Sequence, residues 1–371
     1  MHNIHIAGTG IWYPEDKINN DELVHSYNSY VDLFNTKNKE AIENGDMMQM
    51  QQSSVEFIEK ASGIKSRHVI DKNGILDNQR MMPRVDNEHE DRLSIHAIAG
   101  VNAAKNALKQ AVISTEDIDA VIVGTSHAAR NYPAVAIEIQ NELQIDGYAY
   151  DMLVGCSSTT FAINNAYSDI ASGLANTILV INPEISTPFV NFTHRDKHFI
   201  FGDGCAATVI QKDSTSDKSF KILDRKLYTQ FSNNIRSNYS YLNRAAIDRK
   251  DNEDLLFHQN GRGVFKDVCP LVAKLITDQL ELNKIDPKEI SKFWLHQANG
   301  KMIRLITSKI LGTDDFDSSI TPMPIVDFGN LASVGSLFAF NLDNDLEAGQ
   351  KGVICSFGAG YSVCSIIVEK N

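Results

Sequence analysis

Cysteine is scarce in this chain of 371 residues. The five that occur (Cys156, Cys205, Cys269, Cys355 and Cys364) are scattered and odd in number. None makes a Cys-x-x-Cys pair or a zinc spacing, which argues against a disulfide framework or a metal cluster and fits a reducing compartment. Positive charge is also short: 35 Lys and Arg stand against 47 Asp and Glu, a net charge of −12. That balance argues against a broad nucleic-acid surface and leaves room only for a local basic patch. No apolar run reaches the length of a membrane span. The start, Met-His-Asn-Ile-His-Ile-Ala-Gly-Thr-Gly, reads as a strand and turn and lacks the features of a signal peptide, so a cytoplasmic location is expected. No full Gly-x-Gly-x-x-Gly stands between a strand and a helix, so Gly8-Thr9-Gly10 is a poor dinucleotide fingerprint.

What is present is enough for a large core, built as one large domain or two halves. Strands are predicted at Ala120–Val123, Ile178–Ile181, Ala207–Ile210, Phe293–Leu295, Gly352–Ser356 and Ser362–Val368. Helices are predicted at Ser94–Ala111, Pro133–Leu143, Ser158–Ser172, Val264–Leu282 and Gly300–Ile310. The alternation argues an α/β class. Two segments echo each other. Gly155-Cys156 opens a helix that stops at Ala171-Ser172-Gly173 before the strand Ile178–Ile181. Gly329-Asn330 opens a helical run expected to stop at Glu347-Ala348-Gly349 before the strand Val353–Ser356. Chance likeness between two αβ units is the plain alternative. Three irregular stretches interrupt the rhythm: Asn28–Gln52, Asp71–Glu90 and Gln230–Asn243. The first reads as a helical insertion or a loop that can border a site, with Met47–Met50 as packing material.

Chemistry concentrates at four places. The run Asp151-Met-Leu-Val-Gly-Cys-Ser-Ser-Thr-Thr puts Cys156 between a strand and a helix, where the helix dipole and free N–H groups favour a thiolate nucleophile. His296 ends a strand in Trp294-Leu295-His296-Gln297-Ala298-Asn299. Asn330 follows Asp327-Phe328-Gly329, and Ser356-Phe357-Gly358-Ala359-Gly360 can aim a backbone N–H at a substrate oxygen. A neutral His and an Asn amide suit the negative oxygen of an enolate, and a carboxylate there would repel it. Such chemistry needs no metal, flavin or nicotinamide.

With these residues in this order, the chain resembles the β-ketoacyl-acyl carrier protein synthase III family of the thiolase-like superfamily. The resemblance runs from Thr9-Gly10 to the final glycine-rich loop. It implies a five-layered αβαβα sandwich of two pseudo-repeats, about 1–215 and 216–371, in a homodimer. It implies decarboxylative condensation of an acyl-coenzyme A primer with malonyl-acyl carrier protein, with no cofactor. Cys156 matches the acyl-accepting nucleophile, and His296 and Asn330 match the pair that binds the malonyl carbonyl. The N–H groups of Cys156 and Ala359 match the oxyanion hole. Tyr132 matches the aromatic limit of the partner's acyl pocket, and Asn299 a neighbour of the pantetheine arm. Arg195 matches a contact to the coenzyme A nucleotide, and Phe357 joins the substrate-binding set. Three departures stand out. Cys156-Ser157-Ser158-Thr159 replaces Cys-Ser-Gly-Phe, and Gly329-Asn330-Leu331 replaces Gly-Asn-Thr. The usual Trp and Arg of the coenzyme A clamp become Phe57, which can still stack on adenine, and Ala61. These put an acetyl primer in doubt and admit a medium-chain one.

Each reading has a plainer rival. Cys156 alone would be a buried spacer, His296 a core histidine and Asn330 a helix cap. Phe201-Gly202-Asp203-Gly204 reads as a structural turn, and His194 with His198 as an improbable metal pair. Lys266, Lys301, Arg304 and Lys309 form either a carrier-protein docking face or a solvated helix face. The rival functions are an acyltransferase or ketosynthase of a specialised polyketide, quinolone or lipid pathway, and a non-catalytic subunit of a heterodimeric ketosynthase. A hydroxymethylglutaryl-coenzyme A synthase is disfavoured because no clear glutamate base stands out.

Overall fold

The computed structural model describes residues 3–85, 92–238, 240, 244–247 and 255–371. Parts of two irregular stretches, 86–90 and 239 with 241–243, lie outside the described residues. Nine strands form one mixed sheet: β1 (Ile4–Trp12), β2 (Ala120–Thr125), β3 (Tyr148–Leu153), β4 (Thr177–Glu184), β5 (Gly204–Lys212), β6 (Phe220–Ser232), β7 (Ile290–Leu295), β8 (Lys351–Gly358) and β9 (Gly360–Lys370). Their order is β7-β8-β9-β6-β1-β5-β4-β2-β3. Read outward from the β1/β6 seam, the two sides repeat one plan. β4 lies parallel to β2 and antiparallel to β5, as β8 lies parallel to β7 and antiparallel to β9. The seam itself is slight, with His5 opposite Lys221 and Ile6 opposite Phe220.

Alternation along the strands sorts side chains into layers. Ala120 and Ile122 of β2, Trp294 of β7 and Ile354 of β8 face a shared central core. Helices α5 (Ser158–Ser172) and α8 (Gly335–Leu342) lie in that core, supplying Ala162, Ile163 and Ala166, and Leu337, Phe338 and Phe340. The opposite faces of the same strands are covered outside. Val121 and Val123 pack under α3 (Ile95–Ala111) and α4 (Val135–Leu143). Phe293, Leu295 and Val353 pack under α6 (Gly261–Leu282) and α7 (Gly300–Leu311). The result is the five-layered αβαβα sandwich.

Three helix boundaries differ from expectation by two residues or more, and one assignment differs; α6 begins at Gly261, three residues before the expected Val264. The run after Asn330 is a 3₁₀ turn (Ala332–Val334) and a short helix that ends at Leu342. It does not reach Glu347, because Asp343 leaves the helical region, with φ −146° and ψ 70°. α4 begins at Val135, two residues after Pro133. The Asn28–Gln52 segment is helical for its first ten residues, as the end of α1 (Asn20–Lys37). Its asparagines explain its polar composition. Asn28 exchanges two hydrogen bonds with the Ser53 backbone, and Asn35 does the same with Met50. Met48 is 90% exposed, whereas half-buried Met50 packs against a core cluster with Leu23, Tyr27 and Ile58, so the packing expectation holds at Met50; none of the four lines the cavity that holds Cys156.

Candidate active site

The Cys156 turn is built by its neighbours. Gly155 takes φ +53°, and a Cβ there would stand 3.2 Å from that of Ala359. The Ser158 hydroxyl accepts from the Val154 N–H at 2.8 Å and lies 2.9 Å from the Thr125 carbonyl, which pins the strand end to the helix start. The Ser157 hydroxyl donates to the Ser362 carbonyl at 2.8 Å and so ties the turn to β9. Ser157, which keeps the family pattern, and Ser158, which departs from it, are thus both structural. Gly358 is obligatory, since a Cβ there would come within 2.4 Å of the Cys156 Cβ.

This packing corrects the thiolate expectation. Cys156 is only half-buried, but desolvation pushes its thiol up to about 12, and the Glu184 carboxylate adds to the rise. Hydrogen bonds to the sulfur from the N–H groups of Ala359 and Cys156 itself work the other way and lose. The Cys156 side chain at rest is a neutral thiol with two backbone donors aimed at it, the pair expected for an oxyanion hole.

His296 follows β7, and its N–H donates to the Cys355 carbonyl at 2.8 Å. Its buried ring stands edge-on to Phe357, centroids 5.1 Å apart. Burial pushes its pKa down to about 4, so it is neutral at neutral pH. Asn330 is gripped on both backbone groups, by Ile200 and Gly202. Its Oδ1 accepts from the Ala332 N–H at 2.9 Å, which leaves its amide NH₂ as the remaining donor. The Asn330 oxygen thus holds its own turn while its NH₂ stays a donor; the N-cap positions of the following 3₁₀ turn and helix are Leu331 and Val334. Cys156, His296 and Asn330 meet in one cavity of about 1050 Å³, together with Phe57, Ala61, Asn299 and Phe357.

Other expected residues fall elsewhere. Asn299 lines the cavity but its side chain is committed, accepting from Lys301 N–H and donating to the Ala61 carbonyl. Arg195 does not line the cavity. Its guanidinium lies 3.8 Å from the Phe57 ring centroid and donates to the Gln52 carbonyl, leaving no gap for an adenine between the two. Tyr132 is 83% exposed and away from its own chain's cavity. Of the basic set only Lys301 reaches the cavity, while Lys266, Arg304 and Lys309 are exposed nearby on α6 and α7. Lys197 and Arg262 also line it, and only the cavity's shape picks them out. Asp203 of the Phe-Gly-Asp-Gly run is buried and accepts from Thr187 and Ile70, as befits a structural turn. His198 is buried, stacked on Tyr27 and bonded through Nδ1 to the Arg195 carbonyl. Sequence reasoning also missed Glu184, a buried carboxylate close enough to raise the Cys156 thiol. Its only signal was an acid ending an otherwise uncharged buried strand.

Models of 3-oxoacyl-acyl carrier protein synthase III match residues 150–230, and of its C-terminal part residues 280–370. A β-ketodecanoyl-acyl carrier protein synthase of Pseudomonas aeruginosa is 47% identical over 351 residues, covering 94% of this chain and all of that protein. The chain belongs to the β-ketoacyl-acyl carrier protein synthase III family. A synthase III of Streptococcus gordonii is 27% identical over 89% of this chain and 95% of its own length. The crystal structure of the Aquifex aeolicus synthase III covers both chains completely with a TM-score of 0.74 at 23% identity, a likeness of fold. As a member of the synthase III family the protein is an acyltransferase of the ketosynthase type.

Proposed function

We propose that the protein transfers a medium-chain acyl group from coenzyme A to Cys156 and condenses it with malonyl-acyl carrier protein. The observation that carries this is the convergence of Cys156, His296 and Asn330, from three separate elements, on one cavity. In the first step the thiol proton leaves and sulfur attacks the thioester carbonyl. The Cys156 and Ala359 N–H groups face the oxygen that becomes negative, and coenzyme A departs as its thiol. In the second, malonyl loses CO₂. The enolate oxygen lies against the His296 ring and the Asn330 NH₂, and its carbon attacks the acyl-Cys156 carbonyl, releasing the sulfur. The thiol proton ends on the departing coenzyme A sulfur, and His296, neutral at rest, keeps a ring N–H for the enolate oxygen. No cofactor enters either step.

Three features support a medium-chain primer. The cavity wall is apolar at Phe199, Phe201, Ile235, Phe257, Val264 and Phe265. The Phe57–Arg195 pair is closed and Ala61 offers no charge, so nucleotide contacts are reduced. The Pseudomonas aeruginosa relative is named for a decanoyl product, which less the two carbons of malonyl leaves an octanoyl primer. A homodimer in the cytoplasm fits this reading. β3 ends the sheet with one edge unpaired, and Leu153 and Tyr132 beside it are exposed. Lys197, Arg262 and Lys301 at the cavity suit an acidic carrier.

The test is a primer series from acetyl- to dodecanoyl-coenzyme A with malonyl-acyl carrier protein. kcat/KM should rise toward octanoyl, each buried methylene contributing up to about 0.8 kcal/mol. A kcat/KM greatest for acetyl and falling with every carbon pair would overturn the primer. Sedimentation at the mass of one chain would overturn the dimer.

A further inference from the structure

Glu184 ends β4 with no exposed surface. Its Oε1 accepts from the Ser126 N–H at 2.9 Å, the Ser126 hydroxyl at 3.0 Å, the Ser333 N–H at 3.3 Å and the Ser333 hydroxyl. Its Oε2 is buried and has no hydrogen-bond partner among the described residues. The Ser333 hydroxyl in turn accepts from the Thr159 hydroxyl at 3.0 Å. Ser126 follows β2, Ser333 lies in the turn three residues after Asn330, and Thr159 lies three residues after Cys156. One carboxylate oxygen thus joins a strand end to the Asn330 turn, and through Thr159 to the nucleophile's helix.

A buried carboxylate costs several kcal/mol of desolvation unless its bonds repay it, and half of this one is unpaired. A Gln could fill the same place with an amide. We infer that Glu184 is a positioning residue. Its Oε1 fixes the Ser333 turn against the α5 helix, so that the Asn330 amide and the Cys156 sulfur address one substrate. The role rests on the function proposed above. It predicts a selective defect, because acylation uses donors on the Cys156 turn and the Ala359 loop, whereas decarboxylation needs the Asn330 turn in register. Misplacing a reacting group by about 1 Å can cost about a hundredfold.

The experiment measures two half-reactions on the full chain: acyl-Cys156 formation from octanoyl-coenzyme A by mass spectrometry, and CO₂ release from malonyl-acyl carrier protein. The variants are Glu184→Ala, Glu184→Gln and Ser333→Ala. Glu184→Ala and Ser333→Ala should release CO₂ on the order of tenfold to a hundredfold more slowly, while Ser333→Ala acylates within about threefold of wild type and Glu184→Ala, freed of a charge that helps keep the thiol protonated, acylates at least as fast. Glu184→Gln keeps an acceptor oxygen and should recover most of that loss. Equal failure of Gln and Ala, equal loss of both half-reactions, or wild-type CO₂ release in Ser333→Ala would each overturn the inference. If Glu184→Ala does not fold, Ser333→Ala, which loses one hydroxyl, decides it. A wild-type protein inert in both half-reactions would instead sink the function proposed above.

Discussion

The Cys156 turn and the Asn330 turn occupy matching places in the two halves, yet they divide their work differently. Each is a short 3₁₀ turn leading into a helix of the central layer. At the first turn, structure and chemistry belong to different side chains. Ser157 and Ser158 make the structural hydrogen bonds, and the Cys156 sulfur accepts from the N–H groups of Ala359 and Cys156 itself, the pair proposed above to face the oxyanion. At the second, one side chain does both. Asn330 spends its oxygen on the Ala332 N–H and keeps its NH₂ for the cavity. Stability and activity should therefore separate cleanly at position 156 and remain coupled at position 330.

The largest effect is expected at Cys156. Cys156→Ser removes no structural bond and leaves a poor nucleophile, since an unactivated hydroxyl is far weaker than sulfur. No acyl adduct should be seen by mass spectrometry after incubation with octanoyl-coenzyme A, while thermal unfolding shifts little. Stoichiometric adduct in this variant would dismiss Cys156 as the nucleophile, and a large fall in Tm would show that the turn relies on its sulfur.

Asn330 gives the next largest effect and a sharper test of coupling. Asn330→Ala loses the turn bond and the donor together. It should cost about 1 kcal/mol of stability and about 10²–10³ in CO₂ release, with acylation spared. Asn330→Asp keeps an acceptor for the Ala332 N–H but replaces the donor with negative charge. Its stability should stay near wild type while CO₂ release falls at least as far as in Asn330→Ala. Wild-type decarboxylation in either variant would reduce Asn330 to a turn residue.

How much of this could be read from the sequence follows the same division. The strands at 120, 178, 293 and 352 and the helix Ser158–Ser172 were legible because buried apolar runs and a Gly173 stop are local signals. Cys156, His296 and Asn330 were legible because each sits at an element boundary in a distinctive run, though only folding could put them in one cavity. Three things were hidden. The thiol's protonation depends on burial and on Glu184, which stands 28 residues away in sequence. The closed Phe57–Arg195 contact joins residues more than a hundred positions apart and is held by the Gln52 carbonyl. β6 escaped because its second half, Leu227–Phe231, is solvent-exposed and carries no core signal, so only its pairing with β9 makes it a strand.

The smallest expected effect asks whether both turns are served from the same entrance. Lys301 opens α7 beside Asn299 and lines the cavity, whereas Lys309 sits two turns further along the same helix and does not. An acidic carrier reaching Asn330 through this mouth should feel the first charge more than the second. One exposed ion pair is worth up to about 1 kcal/mol, roughly fivefold in binding. Lys301→Glu should therefore raise KM for malonyl-acyl carrier protein by about fivefold at low salt, and Lys309→Glu by less. Added salt should shrink both losses, because exposed charges are screened over a Debye length of about 8–10 Å. Acylation of Cys156 from coenzyme A should be less sensitive, since burial of the acyl chain drives that step. Equal KM for wild type and both reversals, at every salt concentration, would make the basic residues of α7 a solvated face and move the carrier's approach elsewhere.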